Sequence, residues 1–199
     1  LIGHKNHQEV VGTQGEAPDA IQIVESIDDI HSLKIEDATK LVYLTQTTLS
    51  TDDAETIISA LRIAFPEIHA PPSDDICYAT TNRQNAVRED AANVDLVLVV
   101  GSKNSSNSLR LTEIAETAGT KSYLLDDVTE INPSWLDGVH SILITAGASA
   151  PDHLVSELIT HLTEKYDGKL EGDYDFDEAM TFSMPASLNT FLKSKNLTV

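Results

Sequence analysis

Apolar residues along the chain fall into two alternating rhythms. Short continuous apolar runs give way to stretches in which apolar positions return every three or four residues, and loops of small polar residues join the two. Residues 41–44 (Leu-Val-Tyr-Leu) lead through 45–51 (Thr-Gln-Thr-Thr-Leu-Ser-Thr) to Ala54, Ile57, Ile58, Leu61 and Phe65 at helical spacing. Asp52 and Asp53 fall in the first turn of that predicted helix, where carboxylates meet the positive end of its dipole, and Pro66 follows its last turn. Residues 94–100 are Val- and Leu-rich, as a parallel strand buried on both faces is, and the polar loop 101–107 follows. The next helix turns Leu111, Ile114, Ala115 and Ala118 inward and closes at Gly119. A third unit runs from 142–144 through 145–150 to Pro151 as first helical residue, with the stripe Leu154, Val155, Leu158, Ile159 and Leu162. Further strands are predicted at 21–24 and 122–125.

Strands alternating with helices predict an α/β fold with mainly parallel sheets. Pro71 and Pro72 interrupt helix and strand alike and mark the best boundary. The expected organisation is two similar three-layer α/β domains, over 1–73 and 74–165, then a linker and an extended C-terminal tail over 166–199. Leu1-Ile2-Gly3-His4 reads as the end of a buried strand entering a loop, so the chain is expected to be a fragment that lacks its N-terminal part.

Composition narrows the function classes. Thirteen basic against 32 acidic residues give a charge of −19 over 199 residues. Such a balance leaves no basic stripe for nucleic acid and is repelled by an anionic membrane surface. No apolar run approaches the roughly 20 residues of a membrane span, so a cytoplasmic protein is expected. The single cysteine can form neither an internal disulfide nor a four-thiolate metal site by itself.

In open parallel sheets ligands bind beyond the carboxyl ends of the strands, where the polar loops lie. Helix N-termini there present unpaired N–H groups, and Ser105, Ser106, Asn107 and Ser149 suit a phosphate or diphosphate without any Lys or Arg. Ser, Thr and Asn are also simply good helix caps, which is the plainer reading for any one loop. In 3–10, His7 offers a donor to an anion and Glu9 a proton; the alternative is a polar surface loop. Cys77 falls at a predicted helix start just past the boundary, either as a small inert hydrophobe or as one member of a ligand set completed from elsewhere.

Five segments read together resemble one family. Gly-His-x-x-His-x-Glu-Val-x-Gly-Thr (3–13), Thr-Gln-Thr-Thr-Leu-Ser-x-Asp-Asp (45–53), Asp-Asp-Ile-Cys-Tyr-Ala-Thr-x-Asn-Arg-Gln (74–84), Gly-Ser-Lys-Asn-Ser-Ser-Asn-Ser (101–108) and Thr-Ala-Gly-Ala-Ser-Ala-Pro (145–151) resemble the 4-hydroxy-3-methylbut-2-enyl diphosphate reductases. The resemblance implies three α/β domains around a central [4Fe-4S] cluster held by three cysteines, one per domain. Cys77 matches the third, and the other two, with two substrate-contacting histidines, would lie before Leu1. It implies that His7, Ser105, Ser106, Asn107 and Ser149 hold the diphosphate, that Glu9 supplies a proton, and that Thr47 sits by the substrate hydroxyl. The implied reaction removes that hydroxyl as water, with two electrons from a donor such as ferredoxin or flavodoxin, to give isopentenyl and dimethylallyl diphosphate, the last step of the non-mevalonate isoprenoid pathway. Gln8 and Leu109 depart from the family's usual Pro and Asn and touch no matched functional position. The competing reading is a cluster-free α/β module that binds a phosphorylated small molecule through 101–108 and 145–151.

Overall fold

The computed structural model describes residues 1–72, 75–172 and 183–195. Its order begins with α1 (Gln8–Glu16), α2 (Thr51–Ala64), α3 (Tyr78–Asp90) and β1 (Leu96–Val100). There follow α4 (Ser106–Thr117), β2 (Lys121–Leu125), β3 (Ile142–Ala146), α5 (Asp152–Tyr166) and α6 (Ala186–Ser194).

The C-terminal half is organised by β1, all five residues of which are buried. It is the centre of a parallel sheet of order β2-β1-β3, in which Leu96 pairs with Lys121 on one side and Ile142 on the other. Side chains alternate across a strand. Val97 and Val99 therefore pack with Val87 and Ala91 of the α3 side and Leu111, Ile114 and Ala115 of α4, while Leu96, Leu98 and Val100 meet Leu125, Leu158 and Leu162 on the α5 side. Three layers result, each buried Val or Leu contributing about 1.5–3 kcal/mol. Crossovers through helices leave the carboxyl ends of all three strands on one edge, where the loops after β1 and β3 stand side by side because Val100 pairs with Ala146.

The N-terminal half has a separate core of Ile2, Val24, Ile30, Tyr43, Leu49, Ala54, Ile57 and Leu61. The strands predicted at 21–24 and 41–44 are present only as isolated parallel bridges, Ile2 to Val24, Ile2 to Thr45 and Val42 to His69. Ile2 is flanked on both sides: its N–H donates to Leu44 C=O and its C=O accepts from Gln46 N–H, both at 2.8 Å, while on the other side Gly3 N–H donates to Val24 C=O at 3.0 Å and Val24 N–H to Leu1 C=O at 2.9 Å. The ladder stops there because the chain leaves at Gly3 for the loop that opens α1.

Two boundaries differ from expectation. Pro151 is the cap of α5, with extended backbone (ψ 134°), so the helix starts at Asp152. The extended tail is corrected beyond Pro185, where the chain forms α6; Leu188, Phe191 and Leu192 at helical spacing are the signal. Residues 180–182 of that tail lie outside the described residues. Among the described residues no helix is long and apolar enough to cross a membrane.

Candidate functional site

The site assembles from the N-terminus of α1, the loop before α2, the N-terminus of α3 and the loops after β1 and β3. At Gly3 the loop passes so close to its neighbours that a Cβ would stand 2.7 Å from Val10 Cγ2 and 3.0 Å from Gln46 Cβ. His7 then caps α1. Glu9 N–H donates to His7 Nδ1 at 3.3 Å, so the neutral imidazole carries its hydrogen on Nε2. Lys5 anchors the outer turn of this loop: its N–H donates to Glu25 at 2.9 Å and its ammonium pairs with Glu25 and Asp29. That Lys5 N–H is the main cause holding the Glu25 carboxyl below its usual range.

Glu9 is half-buried, and Thr47 occupies both of its carboxylate oxygens. Thr47 N–H donates to one at 2.8 Å and the Thr47 hydroxyl to the other at 3.0 Å. The Thr47 carbonyl accepts from Cys77 N–H at 3.0 Å. Glu9, Thr47 and Cys77 therefore form one hydrogen-bonded chain, joining three residues drawn from three separate sequence motifs.

Cys77 is half-buried at the N-cap of α3, and its thiol makes no capping bond. Among the described residues no group of three or more His, Cys, Asp and Glu side chains converges as a metal site. A free thiol with no capping bond suits one ligand of an iron–sulfur cluster, which is held by cysteine sulfur. One thiol alone cannot hold such a cluster.

The loop after β1 meets α4 through Ser105, whose hydroxyl oxygen caps the helix by accepting from Ser108 N–H at 3.3 Å. The Ser108 hydroxyl donates to the same oxygen at 3.0 Å. Gly101 and Gly147 flank Ser108 so tightly that a methyl on either would collide with its hydroxyl oxygen. Asn107 is 4% exposed, and neither its amide nitrogen nor its amide oxygen has a hydrogen-bond partner among the described residues. Leaving a buried amide unpaired costs about 1–3 kcal/mol, and a polar ligand removes that cost.

His4 and His7 on one side and Asn104, Ser106, Leu109, Arg110 and Glu113 on the other line a cleft of about 260 Å³. Ser149 stands exposed in the loop after β3, two residues beyond Gly147, and does not line that cleft. Two contributors escaped the sequence reading. Gln46 is fully buried; its Oε1 accepts from His4 N–H at 3.1 Å, and its Nε2 donates to Thr48 Oγ1 at 2.9 Å and reaches Ser106 Oγ at 3.5 Å. Arg110 pairs with Asp53 at 3.1 Å and Glu113 at 2.8 Å, joining α4 to α2 across the two halves. Its five-residue offset from Ser105 on the helix following an anion loop was the available signal.

The family profile described as LytB protein matches residues 1–163, most of the chain and every site residue named above. The chain belongs to the LytB family. It is 46% identical over 196 residues to the 4-hydroxy-3-methylbut-2-enyl diphosphate reductase of Streptomyces coelicolor, covering 98% of this chain and 58% of that protein. It is 49% identical over 188 residues to the protein of that name from Azoarcus sp., covering 94% and 60%. Among solved structures it resembles the E-1-hydroxy-2-methyl-but-2-enyl-4-diphosphate reductase of Plasmodium falciparum, with a TM-score of 0.87, 36% identity, and coverage of 98% of this chain and 62% of that one. The chain thus spans about three-fifths of the length of these LytB relatives.

Proposed function

We propose that this chain, joined to the part of its relatives that it does not span, reduces 4-hydroxy-3-methylbut-2-enyl diphosphate to isopentenyl and dimethylallyl diphosphate, closing the non-mevalonate isoprenoid pathway. The observation that supports this reading is the hydrogen-bonded chain from Glu9 through Thr47 to the backbone of Cys77, which joins a carboxyl, a hydroxyl and the residue bearing the single thiol.

In this reading His7 through Nε2–H, with Ser105, Ser106, Asn107 and Ser149, holds the diphosphate. All five offer N–H or O–H hydrogens, which is how a chain of charge −19 grips an anion without bulk attraction. The Thr47 hydroxyl meets the substrate hydroxyl, and Glu9 holds the proton with which that hydroxyl leaves as water. Two electrons and two protons balance the reaction, and delivery of the second proton to either end of the allylic system gives the two products. A [4Fe-4S] cluster with Cys77 among its ligands supplies, when bound, the electrons and a Lewis acid. A ferredoxin or flavodoxin class donor replenishes those electrons.

The separate apolar cores of the two halves support two α/β domains, over 1–73 and 74–165, of a three-domain cytoplasmic enzyme built around the cluster. Anaerobic reconstitution of the full-length protein tests the reading. Wild type is expected to bind iron and sulfide and to turn over, and Cys77→Ser to lose most of both. Unchanged iron and sulfide in Cys77→Ser would overturn it and leave a cluster-free module that binds phosphorylated small molecules.

A further inference from the structure

The loop that carries Gln46 and Thr47 is fastened to the Cys77 segment at every second residue. Thr45 N–H donates to Asp75 Oδ2 at 3.1 Å, and Thr47 C=O accepts from Cys77 N–H at 3.0 Å. Leu49 C=O accepts from Gln84 Nε2 at 2.8 Å, and Thr51 N–H donates to Gln84 Oε1 at 3.0 Å. Two of the four fastenings thus fall on one side chain. Gln84 lies on α3 about two turns beyond Cys77, is 0% exposed, and spends its amide on the backbone of the loop rather than on its own helix.

The far end of this amide is held in turn. Arg88, one turn further along α3, donates to Gln84 Oε1 at 3.3 Å, to Thr51 Oγ1 at 2.7 Å and to Asp52 Oδ2 at 2.9 Å. Arg88 can only donate, so Oε1 must face it and Nε2 must face Leu49 C=O. The amide therefore has one orientation, and the loop has one register against α3.

We propose that Gln84 is a positioning residue that acts through Thr47: it sets the height of the Thr47–Glu9 pair relative to the Cys77 thiol without touching either. This rests on the functional reading above. Gln84 touches none of the diphosphate residues of the loops after β1 and β3, so its loss acts first on the proton-delivering pair and reaches the anion grip only at second hand, through Gln46 on Ser106 and Glu9 N–H on His7. Gln84→Met keeps the length and volume of the side chain, removes both hydrogen bonds, and leaves Leu49 C=O and Thr51 N–H buried without partners.

Two measurements test it. In the full-length reductase, Gln84→Met is expected to lower kcat about tenfold per intact cluster, with KM for the allylic diphosphate within twofold of wild type. Thr47→Ala lowers kcat as well, and the double variant should be no slower than Thr47→Ala alone, because residues acting through one another are not additive. Losses that multiply would overturn the proposal, since a merely structural defect multiplies. Should Gln84→Met not fold, Gln84→Glu, which keeps the acceptor toward Thr51 and Arg88 and sets a carboxylate oxygen against Leu49 C=O, carries the same cycle. In the present chain, amide hydrogen exchange at Cys77 and Thr51 is expected to quicken at least tenfold in Gln84→Met while that at Val97 and Val99 stays put. Unchanged exchange would overturn the fastening itself. If wild-type full-length protein fails to reduce the diphosphate, the functional reading falls, and the exchange result still decides the fastening.

Discussion

Ser108 sits between two glycines, and the two do not crowd it alike. A Cβ built on Gly147 collides with the Ser108 hydroxyl oxygen but stands 3.4 Å from Ser108 Cβ, an ordinary contact. A Cβ on Gly101 collides with the same oxygen and stands only 2.8 Å from Ser108 Cβ. Either alanine therefore overpacks a residue that is 1% exposed, at about 1–3 kcal/mol. Ser108→Ala alone loses the hydroxyl's bond to Ser105, about 1 kcal/mol. In Gly147→Ala with Ser108→Ala the colliding atom is gone, so the pair should be about 1–2 kcal/mol more stable than the sum of the single losses. In Gly101→Ala with Ser108→Ala the 2.8 Å Cβ–Cβ approach remains, so no such recovery is expected. Urea unfolding of the present chain and its five variants, with the slope m checked for constancy, reads both cycles. Additivity in the Gly147 cycle, or equal recovery in both, would refute the reasoning.

Other outcomes follow from single sites. Asn107→Leu replaces a buried amide that has no partner among the described residues, so it should stabilise the chain by about 1 kcal/mol in urea while abolishing any response to inorganic diphosphate in calorimetry. Glu9→Gln in the full-length enzyme should lower kcat about 100-fold or more with KM nearly unchanged, as loss of a positioned proton donor does; unchanged turnover places the proton elsewhere. Asp95 accepts from His140 N–H at 2.8 Å and from Ser141 N–H at 2.9 Å, and the first of these chiefly holds its carboxyl below the usual range. A lowered carboxyl stabilises the fold above its unfolded-state value and ceases to as pH falls through its folded value. Asp95→Asn should therefore lower Tm at neutral pH, and the gap to wild type should close on acidification; a gap constant with pH contradicts the assignment.

The C-terminal half was legible because its signals are local and redundant. The run 94–100 is too apolar to face water on either side, and β1 is indeed covered by α3 and α4 on one face and α5 on the other. The N-terminal half hid its weakness: 21–24 and 41–44 look equally strand-like, yet each pairs over only a residue or two, because their shared neighbour leaves the sheet at Gly3. The polar loops were readable as Ser- and Asn-rich helix starts, and Glu9, Thr47 and Cys77 stood in recognisable motifs. Their connection was not readable, since a carboxylate on α1, a loop amide and a helix cap meet only through tertiary contacts at sequence separations of 38 and 30 residues. Gln84 was invisible for the same reason. A glutamine buried for its hydrogen bonds looks, in sequence, like any solvent-facing helix residue.

The seam between the halves is written almost entirely in polar contacts: Arg110 on Asp53, Arg88 on Asp52, Asp75 under Thr45, and Gln46 reaching Ser106. The apolar clusters lie on their own sides but for Ile76, which packs against the N-terminal core from beyond the boundary. Two different solvents of force therefore govern the molecule. Urea and temperature act first on what keeps each half folded. Dissolved salt, with a screening length of about 8 Å at physiological strength, acts on what sets the distance between the walls of the cleft. Salt therefore weakens the ion pairs Arg110–Asp53 and Arg88–Asp52, whose carboxylates are exposed, before it touches either core.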